Sequence, residues 1–567
     1  MKTSTFSKLL IIGGYGTFGG RLAGLLAENP ELTLLIAGRS LHKAEQFIDR
    51  NSAQATMIPV RFDRNGDVAA QVATLTPDVV IDASGPYQAY GERPYRVAEA
   101  AIAIGAHYLD LADGTDFVCN IATLDTEARN KDVFVLAGTS TCPALTMAVT
   151  RMLSSDLICV DSITGGIAPS PFAGMGRSVV QAIAGYAGKS VQVIRDGRLQ
   201  QEHTFISTRR FTIAPPGEVP LPPMTFSLID VPDLRLLGNL DKPVGNTWFG
   251  VSTTPSVYHR LLRTLARGVK AGILPTLRPL AGIMHFVMNH LGWGEHRGGM
   301  FMEVRGTDAL GRKVCRSWHL IATGDSGPMV PALAAAAVIR RCINGRFPTS
   351  GARPAMDVSD LNDYLPMFEE LCIRTGERSE SACDDPPIFE QVLGEKWDKL
   401  PAPIRALHGA TAASCFAGRA SVIRGDGLIA KIIGLIAGFP DEGTDVPVTV
   451  RISPEGAHEI WTRDFDGHTF SSEMSAGGGR LAALMCERFG PCKFGMALVT
   501  EGYILRYVFR RWTFLGMPMP KWLMPNGKTY ESSVDGKFAF HVEITLPLIG
   551  HVVTYEGYLE KKPLDFQ

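Results

Sequence analysis

The chain has 567 residues, of which 20% are charged, and its formal net charge is -1. A chain of this length exceeds the roughly 250–300 residues at which a single hydrophobic core stops growing, so we expect two or three domains. Because 56 basic residues balance 57 acidic ones, no global field favours nucleic acid or an anionic membrane as a partner.

Cysteine usage and hydropathy place further limits on the chain. The 10 cysteines stand singly, without a CxxC pair or a histidine spacing that would build a zinc site, so we expect no metal and a reduced, cytoplasmic protein. The N-terminal apolar run ends in glycines, which predicts a strand rather than a signal peptide. Two apolar stretches, 281–293 and 427–439, are shorter than the roughly 20 residues of a spanning helix. We interpret them as buried helices, with a lipid-like pocket or peripheral membrane contact as the alternative.

Strand and helix signals alternate from the N-terminus to about residue 150. Short apolar runs bounded by glycine or polar residues predict strands, and the amphipathic stretches between them predict helices. This order predicts an α/β fold, a Rossmann-type doubly wound parallel sheet over 1–150. The predicted strands are 8–14, 32–38, 56–62, 78–84, 107–112 and 132–138.

The pattern changes after Pro143. Glycine turns, alternating stretches and one long helical region, 256–292, predict an α+β domain over 151–326 that is inserted into the chain. Residues 388–567 are rich in short alternating stretches, which predict a β-rich C-terminal domain. Its sheet should be antiparallel and strongly bent, and it could curl around a helix or a cavity.

A glycine pattern follows the first predicted strand. Gly14, Gly16 and Gly19 form GxGxxG, and a helix begins directly after it. Glycines at these positions allow a tight turn, close approach of a pyrophosphate and packing of the helix on the strand. The context predicts a dinucleotide site that includes Thr17 and Phe18 of the same loop, with a purely structural turn as the alternative.

The end of the second strand indicates which dinucleotide is bound. An acid about 20 residues beyond the glycines would bind the ribose 2'-hydroxyl of NAD, but the strand ends in AGRS instead. Arg39 can pair with a 2'-phosphate, and Ser40 at the start of the next helix can donate to it, which predicts NADP. A solvated loop arginine is the alternative. Asp63, after the third strand, is assigned an adenine-side contact or a helix cap.

Residues 84–114, together with the glycine loop and the AGRS strand end, carry a family resemblance. The chain resembles the saccharopine-dehydrogenase-like oxidoreductases over about 8–365, and its strand end is similar to that of their NADP-dependent members and of trans-acting enoyl reductases. The resemblance implies that 327–365 returns to the nucleotide lobe and that the active site lies between this lobe and the insert. The matching residues are Gly85, Pro86, Tyr87, Gly91, Gly105, His107, Tyr108 and Asp110.

Some residues depart from the family pattern, and the C-terminal part has a resemblance of its own. A dicarboxylate substrate would need several converging cations, and the insert offers Arg177, Lys189 and Arg209. Asp113-Gly114 stands where family members often carry Gly-Glu. The C-terminal part resembles a domain family of unassigned function that is found fused to such oxidoreductases, and its apolar helix and aromatic strands could hold a hydrophobic ligand.

The candidate catalytic residues lie at the predicted carboxyl ends of the strands, where the nicotinamide should bind. Ser84, Gly85 and Pro86 are assigned to the cofactor site. Tyr87, Asp113 and Cys142 are the titratable candidates, with Asp113 or Tyr87 as proton donor and a packing or turn role as the alternative. His319 is interpreted as a sheet histidine, and His296 as a residue that could reach the cleft.

Two function classes follow from these patterns. The leading hypothesis is an NADP-dependent oxidoreductase, expected as a homodimer, that acts on a small or lipid-like carbonyl, imine or enoyl substrate. The alternative is a non-catalytic protein that senses NADP or binds a hydrophobic ligand through its C-terminal domain.

Overall fold

The computed structural model describes residues 6–381 and 386–562. These residues form two compact units. The first unit holds the chain up to residue 210 and from 224 to 374, and the second holds the remaining described residues.

The segment 211–223 lies within the range predicted for the insert, yet it groups with the second unit. Its backbone is bonded there. Thr500 N donates to Gly217 O at 3.1 Å, and Arg378 Nε donates to Ala214 O at 2.8 Å.

The first unit begins with alternating strands and helices. Leu9, Leu10 and Ile11 of the first strand are fully buried, because helices cover both faces of a parallel sheet. The elements are β1 (Lys8–Ile12), α1 (Gly19–Leu26), β2 (Thr33–Gly38), α2 (Leu41–Arg50), β3 (Thr56–Arg61), α3 (Val68–Leu75), β4 (Val79–Asp82), α4 (Arg96–Ala103), β5 (His107–Asp110), α5 (Thr115–Asn120), α6 (Asp125–Asn130), β6 (Phe134–Ala137) and α7 (Thr146–Leu153).

A region with a mixed sheet, a separate hairpin over 190–203 and four helices follows in the chain. Its elements are β7 (Leu157–Ala168), α8 (Arg177–Tyr186), β8 (Ser190–Arg195), β9 (Arg198–His203), β10 (Thr208–Phe211), β11 (Met224–Leu228), α9 (Asp233–Leu236), β12 (Val244–Val251), α10 (Ser256–Lys270), α11 (Ala281–His290), β13 (Arg297–Asp308) and β14 (Lys313–Thr323). Strands of the first unit lie in the order β10-β11-β12-β7-β13-β14. β12 is parallel to β7, whereas β13 is antiparallel to both of its neighbours.

The single helical region predicted for 256–292 is wrong, because α10 and α11 are separate helices. Gly272 adopts a left-handed conformation with φ of 73° and closes α10. Gly272 N donates to Val269 O, and Ile273 N donates to Gly268 O, both at 3.0 Å. These bonds satisfy carbonyls at the end of the helix and turn the chain away from the helix axis.

The chain then returns to the first sheet through α12 (Val330–Ile343), β15 (Gly351–Pro354) and α13 (Leu365–Glu370). β15 pairs with β6 in parallel, which gives the strand order β15-β6-β5-β4-β1-β2-β3. Every pairing in this sheet is parallel, so the predicted Rossmann-type fold is confirmed. The strand order reverses at β1, which places a ligand crevice at the carboxyl ends of β1 and β4.

The second unit is dominated by antiparallel strands. The remaining elements are β16 (Ile373–Ser381), α14 (Ile388–Leu393), α15 (Ala402–His408), β17 (Ser414–Arg424), α16 (Leu428–Ile436), β18 (Gly443–Glu455), β19 (His458–Phe465), β20 (His468–Ala476), β21 (Met485–Phe489), β22 (Cys492–Glu501), β23 (Ile504–Phe514), β24 (Met517–Pro518), β25 (Thr529–Val534), β26 (Lys537–Leu546) and β27 (Gly550–Lys562).

The sheet of the second unit closes on itself, as the alternating pattern allowed. Its strands lie in the order β22-β21-β20-β19-β18-β17-β27-β26-β25-β23-β24, and β22 also pairs with β23. Inward side chains of these strands pack with Phe389 and Leu393 of α14 and with Ile404 and Leu407 of α15 in one core. The two short helices therefore stabilise the closed sheet from inside its core.

The interpretation of 281–293 and 427–439 as buried helices is wrong. Ile283 and Phe286 are 66% and 58% exposed, and Leu435 of α16 is 81% exposed. Apolar residues occur on all faces of these helices, but only one narrow face of each packs against protein. No helix among residues 6–381 and 386–562 is long and apolar enough to cross a membrane.

The core of the second unit supplies a stability prediction. The Phe389 ring is fully buried and stacks on His408, with ring centroids 3.6 Å apart. We expect Phe389→Ala to lower the free energy of unfolding by about 3–5 kcal/mol, because it removes a large side chain and leaves a cavity. Denaturant unfolding measures the change. Tyr503→Ala is the control, since that ring is 79% exposed, and an equal loss in both variants would contradict the assignment.

Candidate active site

The glycine loop joins β1 to α1 with backbone contacts that exclude larger residues. A Cβ at Gly14 would lie 2.8 Å from Ile11 O, and a Cβ at Gly19 would overlap Gly13 O. Gly16 N donates to Gly13 O at 2.8 Å, which tightens the turn. The loop, which we call the glycine cradle, thus packs tightly on its own backbone at the N-terminus of α1. A compact glycine turn before a helix is the arrangement that binds a pyrophosphate.

The end of β2 has the composition that an NADP site needs. Tyr15 packs against Gly38, and its hydroxyl accepts a hydrogen bond from Ser40 N at 3.0 Å. Ser40 caps α2, where its Oγ accepts from Lys43 N at 3.4 Å. Arg39 is exposed, and no side chain of the described residues pairs with it. Its guanidinium is therefore free to bind a phosphate at the N-terminus of α2.

The other predicted cofactor residues, Asp63 and the segment 84–86, lie at the same edge of the sheet. Asp63 lies just beyond β3, where its carboxylate accepts from Asn65 N at 3.0 Å and so closes a turn. Ser84 begins the loop after β4, and Gly85 and Pro86 follow it. A Cβ at Gly13 would lie 2.8 Å from Ala83 O, so the glycine loop packs directly on this second loop.

The carboxylate of Asp82 lies beneath these loops and is stabilised by hydrogen bonds from polar side chains. Asp82 ends β4 and is fully buried. It accepts from Ser84 Oγ at 2.5 Å, from Tyr90 Oη at 3.3 Å and from Arg64 Nε at 3.4 Å. Arg64 also lies over the Tyr90 ring, 3.0 Å from its centroid. These contacts fix the 84–90 loop against the sheet.

Asp110 ends β5 and lies opposite Asp82 in the register. Its Oδ1 accepts from Gly138 N at 2.7 Å and from Ala112 N at 3.0 Å, while its Oδ2 has no hydrogen-bond partner in the described structure. Burial raises the pKa of Asp110 to about 7, although the two backbone donors oppose the rise. The carboxyl thus joins the ends of β5 and β6.

The structure places Tyr87 inside this network. Its hydroxyl donates to Asp82 O at 2.7 Å and accepts from Leu111 N at 3.2 Å, and the side chain is buried. Burial raises the pKa of Tyr87 well above its usual value. With both hydrogen bonds made to backbone groups, Tyr87 connects the ends of two strands, and it does not line the cavity described next.

A cavity of about 320 Å3 opens beside the glycine loop within the first unit. Thr17 and Phe18 of the loop line it, together with Asp113 and Cys142 at the carboxyl edge of the sheet. The opposite wall comes from the insert and is mostly apolar. The structure therefore brings two of the three predicted catalytic residues and part of the predicted cofactor loop into one space.

Cys142 lies in a buried polar group at the start of α7. The thiol lies beside Asp233, whose Oδ1 accepts from the Thr146 hydroxyl and whose Oδ2 has no hydrogen-bond partner in the described structure. Burial raises the pKa of the Cys142 thiol well above its usual value, and the Asp233 charge adds to the rise. Burial likewise raises the pKa of Asp233 to about 6. Cys142 is thus a protonated thiol rather than a nucleophilic thiolate.

Asp113 is accessible from the cavity and is held by Gln88 Nε2, which donates to Oδ1 at 3.1 Å. The surrounding protein still raises the pKa of Asp113 by desolvation, and Asp230 raises it further. Asp230 accepts from the Thr115 hydroxyl at 2.6 Å, and its pKa is also raised by burial. The cavity thus contains two carboxyl groups whose pKa values are raised by desolvation.

Sequence patterns did not indicate Tyr186 and Asp230, which line the same cavity as Asp113. Tyr186 ends α8 and lines the cavity, and its hydroxyl has no partner within the described ranges. Burial raises the pKa of Tyr186, and the charges of Asp113 and Asp230 raise it further, so the phenol stays neutral and can donate a hydrogen bond. The sequence feature that could have indicated Asp230 is a single acidic residue between two apolar residues, Ile229 and Val231, both of which are buried.

No Lys, Arg or His belongs to the described residues that line this cavity. Arg177 and Lys189 lie outside the lining, and Arg209 donates to the Thr164 hydroxyl at 2.6 Å. His296 is paired with Asp325 at 2.6 Å and is largely exposed, so it does not reach the cavity. His319 lies buried in β14 and bonds Ser317 Oγ at 2.9 Å. No group of three metal-ligating side chains occurs among residues 6–381 and 386–562.

Comparison with protein families agrees with this geometry. Residues 9–138 match the saccharopine dehydrogenase NADP binding domain. The part of the first unit that holds the glycine loop is therefore similar to this NADP-binding domain. Residues 400–559 match a domain of unknown function (DUF4166), which confirms the second resemblance. The family match supports an oxidoreductase, and no curated protein matches the chain.

Solved structures share only low similarity with the chain. Apo saccharopine dehydrogenase (L-Glu forming) from Saccharomyces cerevisiae is 12% identical, with 66% of this chain and 100% of that chain covered and a TM-score of 0.46. Biliverdin reductase from Synechocystis sp. PCC 6803, in complex with biliverdin and NADP+, is 13% identical, with coverages of 65% and 96% and a TM-score of 0.28. An oxidoreductase from Sinorhizobium meliloti is 11% identical, with the same coverages and a TM-score of 0.30.

The buried Asp110 carboxyl supplies a pH prediction. Because its pKa in the folded chain, about 7, exceeds its ordinary value of 3.8, the folded state binds this proton more tightly than the unfolded state. The free energy of unfolding should therefore fall as the pH rises from about 4 to about 7. We expect Asp110→Asn to flatten this slope, measured by urea unfolding at a series of pH values. Asp49→Asn, at an exposed position of α2, should leave the slope unchanged, and an unchanged slope in Asp110→Asn would sink the assignment.

Proposed function

We propose that the chain is an NADPH-dependent oxidoreductase whose insert, residues 151–326, binds an apolar substrate with a carbonyl, imine or enoyl group. One observation carries the proposal: the cavity of about 320 Å3 joins the glycine loop, a carboxyl with raised pKa and an apolar wall. When bound, the reduced nicotinamide supplies a hydride, and the protein orients the substrate and supplies a proton.

The charge of the cavity supports an apolar substrate. Asp113 and Asp230 are the charged residues of its described lining, and no cation lies there to pair with a substrate carboxylate. A dicarboxylate would need several converging Arg or Lys side chains. A neutral substrate with an apolar body fits the lining better, because burial of an unpaired charge is costly.

Asp113 is the proposed proton donor. Desolvation raises the pKa of Asp113 above its ordinary value, which is the direction that a proton donor requires. Gln88 orients the carboxyl through Oδ1. Tyr186 lies in the same cavity with a neutral hydroxyl, and we assign it a hydrogen bond to the substrate oxygen or nitrogen.

The cofactor preference is tested at Arg39. We expect Arg39→Asp to weaken NADPH binding at least tenfold and to strengthen NADH binding, because the new carboxylate repels a 2'-phosphate and accepts from a ribose hydroxyl. Fluorescence titration with both nucleotides measures the change. Arg50→Asp carries the same charge change at the far end of α2 and should leave the preference unaltered. Tighter binding of NADH than of NADPH by the natural chain would refute the NADP assignment.

The proton donor is tested by Asp113→Asn. We expect kcat to fall by about 100- to 10,000-fold, because general acid catalysis is worth that much. Activity of the natural chain should fall as the pH rises through the raised pKa of Asp113, and the variant should lack this limb. Consumption of NADPH with a panel of apolar aldehydes, imines and enoyl esters supplies the readout.

Asp116→Asn is the matched control, because the Asp116 side chain is 89% exposed and pairs with Arg235 instead of facing the cavity. Equal activity losses in the two variants would reject Asp113 as the donor. Tight NADPH binding without turnover on any substrate would favour a cofactor-sensing protein over an enzyme.

A further inference from the structure

The closed sheet of the second unit surrounds a cavity of about 720 Å3. This volume lies within the range of about 300–1,000 Å3 that small-molecule pockets occupy. β26 shows how the lining arises: Phe538, Phe540, Val542 and Ile544 line the cavity, whereas the alternate positions of the strand do not. Period-two alternation thus gives the sheet an apolar and largely aromatic inner surface.

One end of this cavity is closed. α15 contacts β25 and β26, and α14 contacts β20 and β21. His408 of α15 is buried and bonds Glu531 at 2.6 Å, and Glu531 also accepts from the Tyr507 hydroxyl at 2.8 Å. His408 Nε2, Glu531 and Tyr507 are therefore hydrogen-bonded to one another beneath an apolar core, whereas His408 Nδ1 has no hydrogen-bond partner among the described residues.

The other end carries the connections β17–β18, β19–β20, β21–β22, β23–β25 and β26–β27, because neighbouring strands of the ring run in opposite directions. Ile433, Ile436 and Leu523 of these connections line the cavity, so it extends to this end. Large apolar side chains of the same connections point to solvent, and we call them the apolar rim. Its members and exposed fractions are Leu428 (76%), Ile429 (57%), Leu435 (81%), Leu515 (70%), Trp522 (65%) and Leu548 (92%). An exposed apolar cluster of this kind is typical of a surface that contacts an apolar ligand or a membrane.

The charged groups inside the cavity already have hydrogen-bond partners within the protein. Arg463 donates to Ser472 Oγ at 2.8 Å and to Glu487 at 3.1 Å, and both ionic side chains are largely buried. Glu531 is held by His408 and Tyr507. A ligand with a free charge would leave that charge unpaired in an apolar space, which is costly. The remaining N–H groups of Arg463 suit a neutral oxygen.

We propose that the closed sheet binds one uncharged lipid-like molecule, with a long alkyl or isoprenoid body and a neutral hydroxyl, carbonyl or ester oxygen, which enters past the apolar rim. The apolar lining binds the body, and Arg463 is the donor for the oxygen. This site is separate from the reaction proposed for the first unit and stands whether or not that reaction occurs.

Displacement of a fluorescent probe tests the ligand class. The full chain should bind the uncharged probe N-phenyl-1-naphthylamine, and 1-hexadecanol should displace it at least tenfold more effectively than hexadecanoate at pH 8. Absence of probe binding would overturn the site. Equal or better displacement by hexadecanoate would overturn the uncharged class.

A pair of variants on β26 locates the site. Val542→Trp puts an indole into the cavity and should weaken probe binding at least tenfold, whereas Ala539→Trp puts the same bulk on the outer face and should not. Circular dichroism and thermal unfolding confirm that both variants fold. If Val542→Trp does not fold, Val542→Phe replaces it. Unchanged probe binding by a folded cavity variant would contradict the proposal.

Two sources of the lipid are distinguished at the rim. The double variant Leu435→Ser and Leu548→Ser should bind monomeric probe normally, because neither side chain lines the cavity. If the lipid is taken from a bilayer, this variant should lose extraction of labelled hexadecanol from phosphatidylcholine vesicles, which the natural chain performs. If the lipid arrives as a monomer, both proteins should acquire it at the same rate. If the folded double variant no longer binds the monomeric probe, the proposal that the ligand passes the rim and binds inside this cavity is contradicted.

Discussion

Two buried carboxyls hold together the edge of the sheet on which the candidate active site depends. Asp82 fixes the loop after β4 through Ser84 and Tyr90, and Asp110 joins the end of β5 to Gly138 after β6. Loops at this edge carry the glycine cradle, Asp113 and Cys142. Burial makes the Asp110 charge costly, so the same contact that orders the edge also makes its stability sensitive to pH.

Local sequence patterns were sufficient to predict the nucleotide-binding lobe, but they did not predict which residues of the insert line the cavity. The turn at Gly14, Gly16 and Gly19 depends on contacts within a few residues, so spacing predicts it. Tyr186 and Asp230 reach the cavity only because α8 and the chain after β11 fold against the lobe, which no local period encodes. The exposure of Leu435 in α16 was mispredicted for a similar reason: hydropathy reports that a helix is apolar, whereas its neighbours decide which faces are covered.

The two cavities differ in their electrostatics more than in their apolar surface. In the first unit, Asp113 and Asp230 face the space without a cation among its described lining, and desolvation raises the pKa of both carboxyls. In the second unit, Arg463 pairs with Glu487, and Glu531 is hydrogen-bonded to His408 and Tyr507. An environment that raises a carboxyl pKa suits proton transfer, whereas a balanced environment suits retention of an unreactive guest. This contrast is consistent with the two proposals, proton transfer in the first unit and binding of a neutral ligand in the second.

The last strand of the parallel sheet has a consequence for biogenesis. β15 pairs with β6, although more than 200 residues of sequence separate them. During synthesis from the N-terminus, the edge of β6 therefore lacks its partner until the ribosome has produced the whole intervening sheet. An unpaired edge strand is a template for aggregation, and long-range pairing forms slowly. The nucleotide lobe therefore cannot complete its sheet until the insert and α12 have been translated.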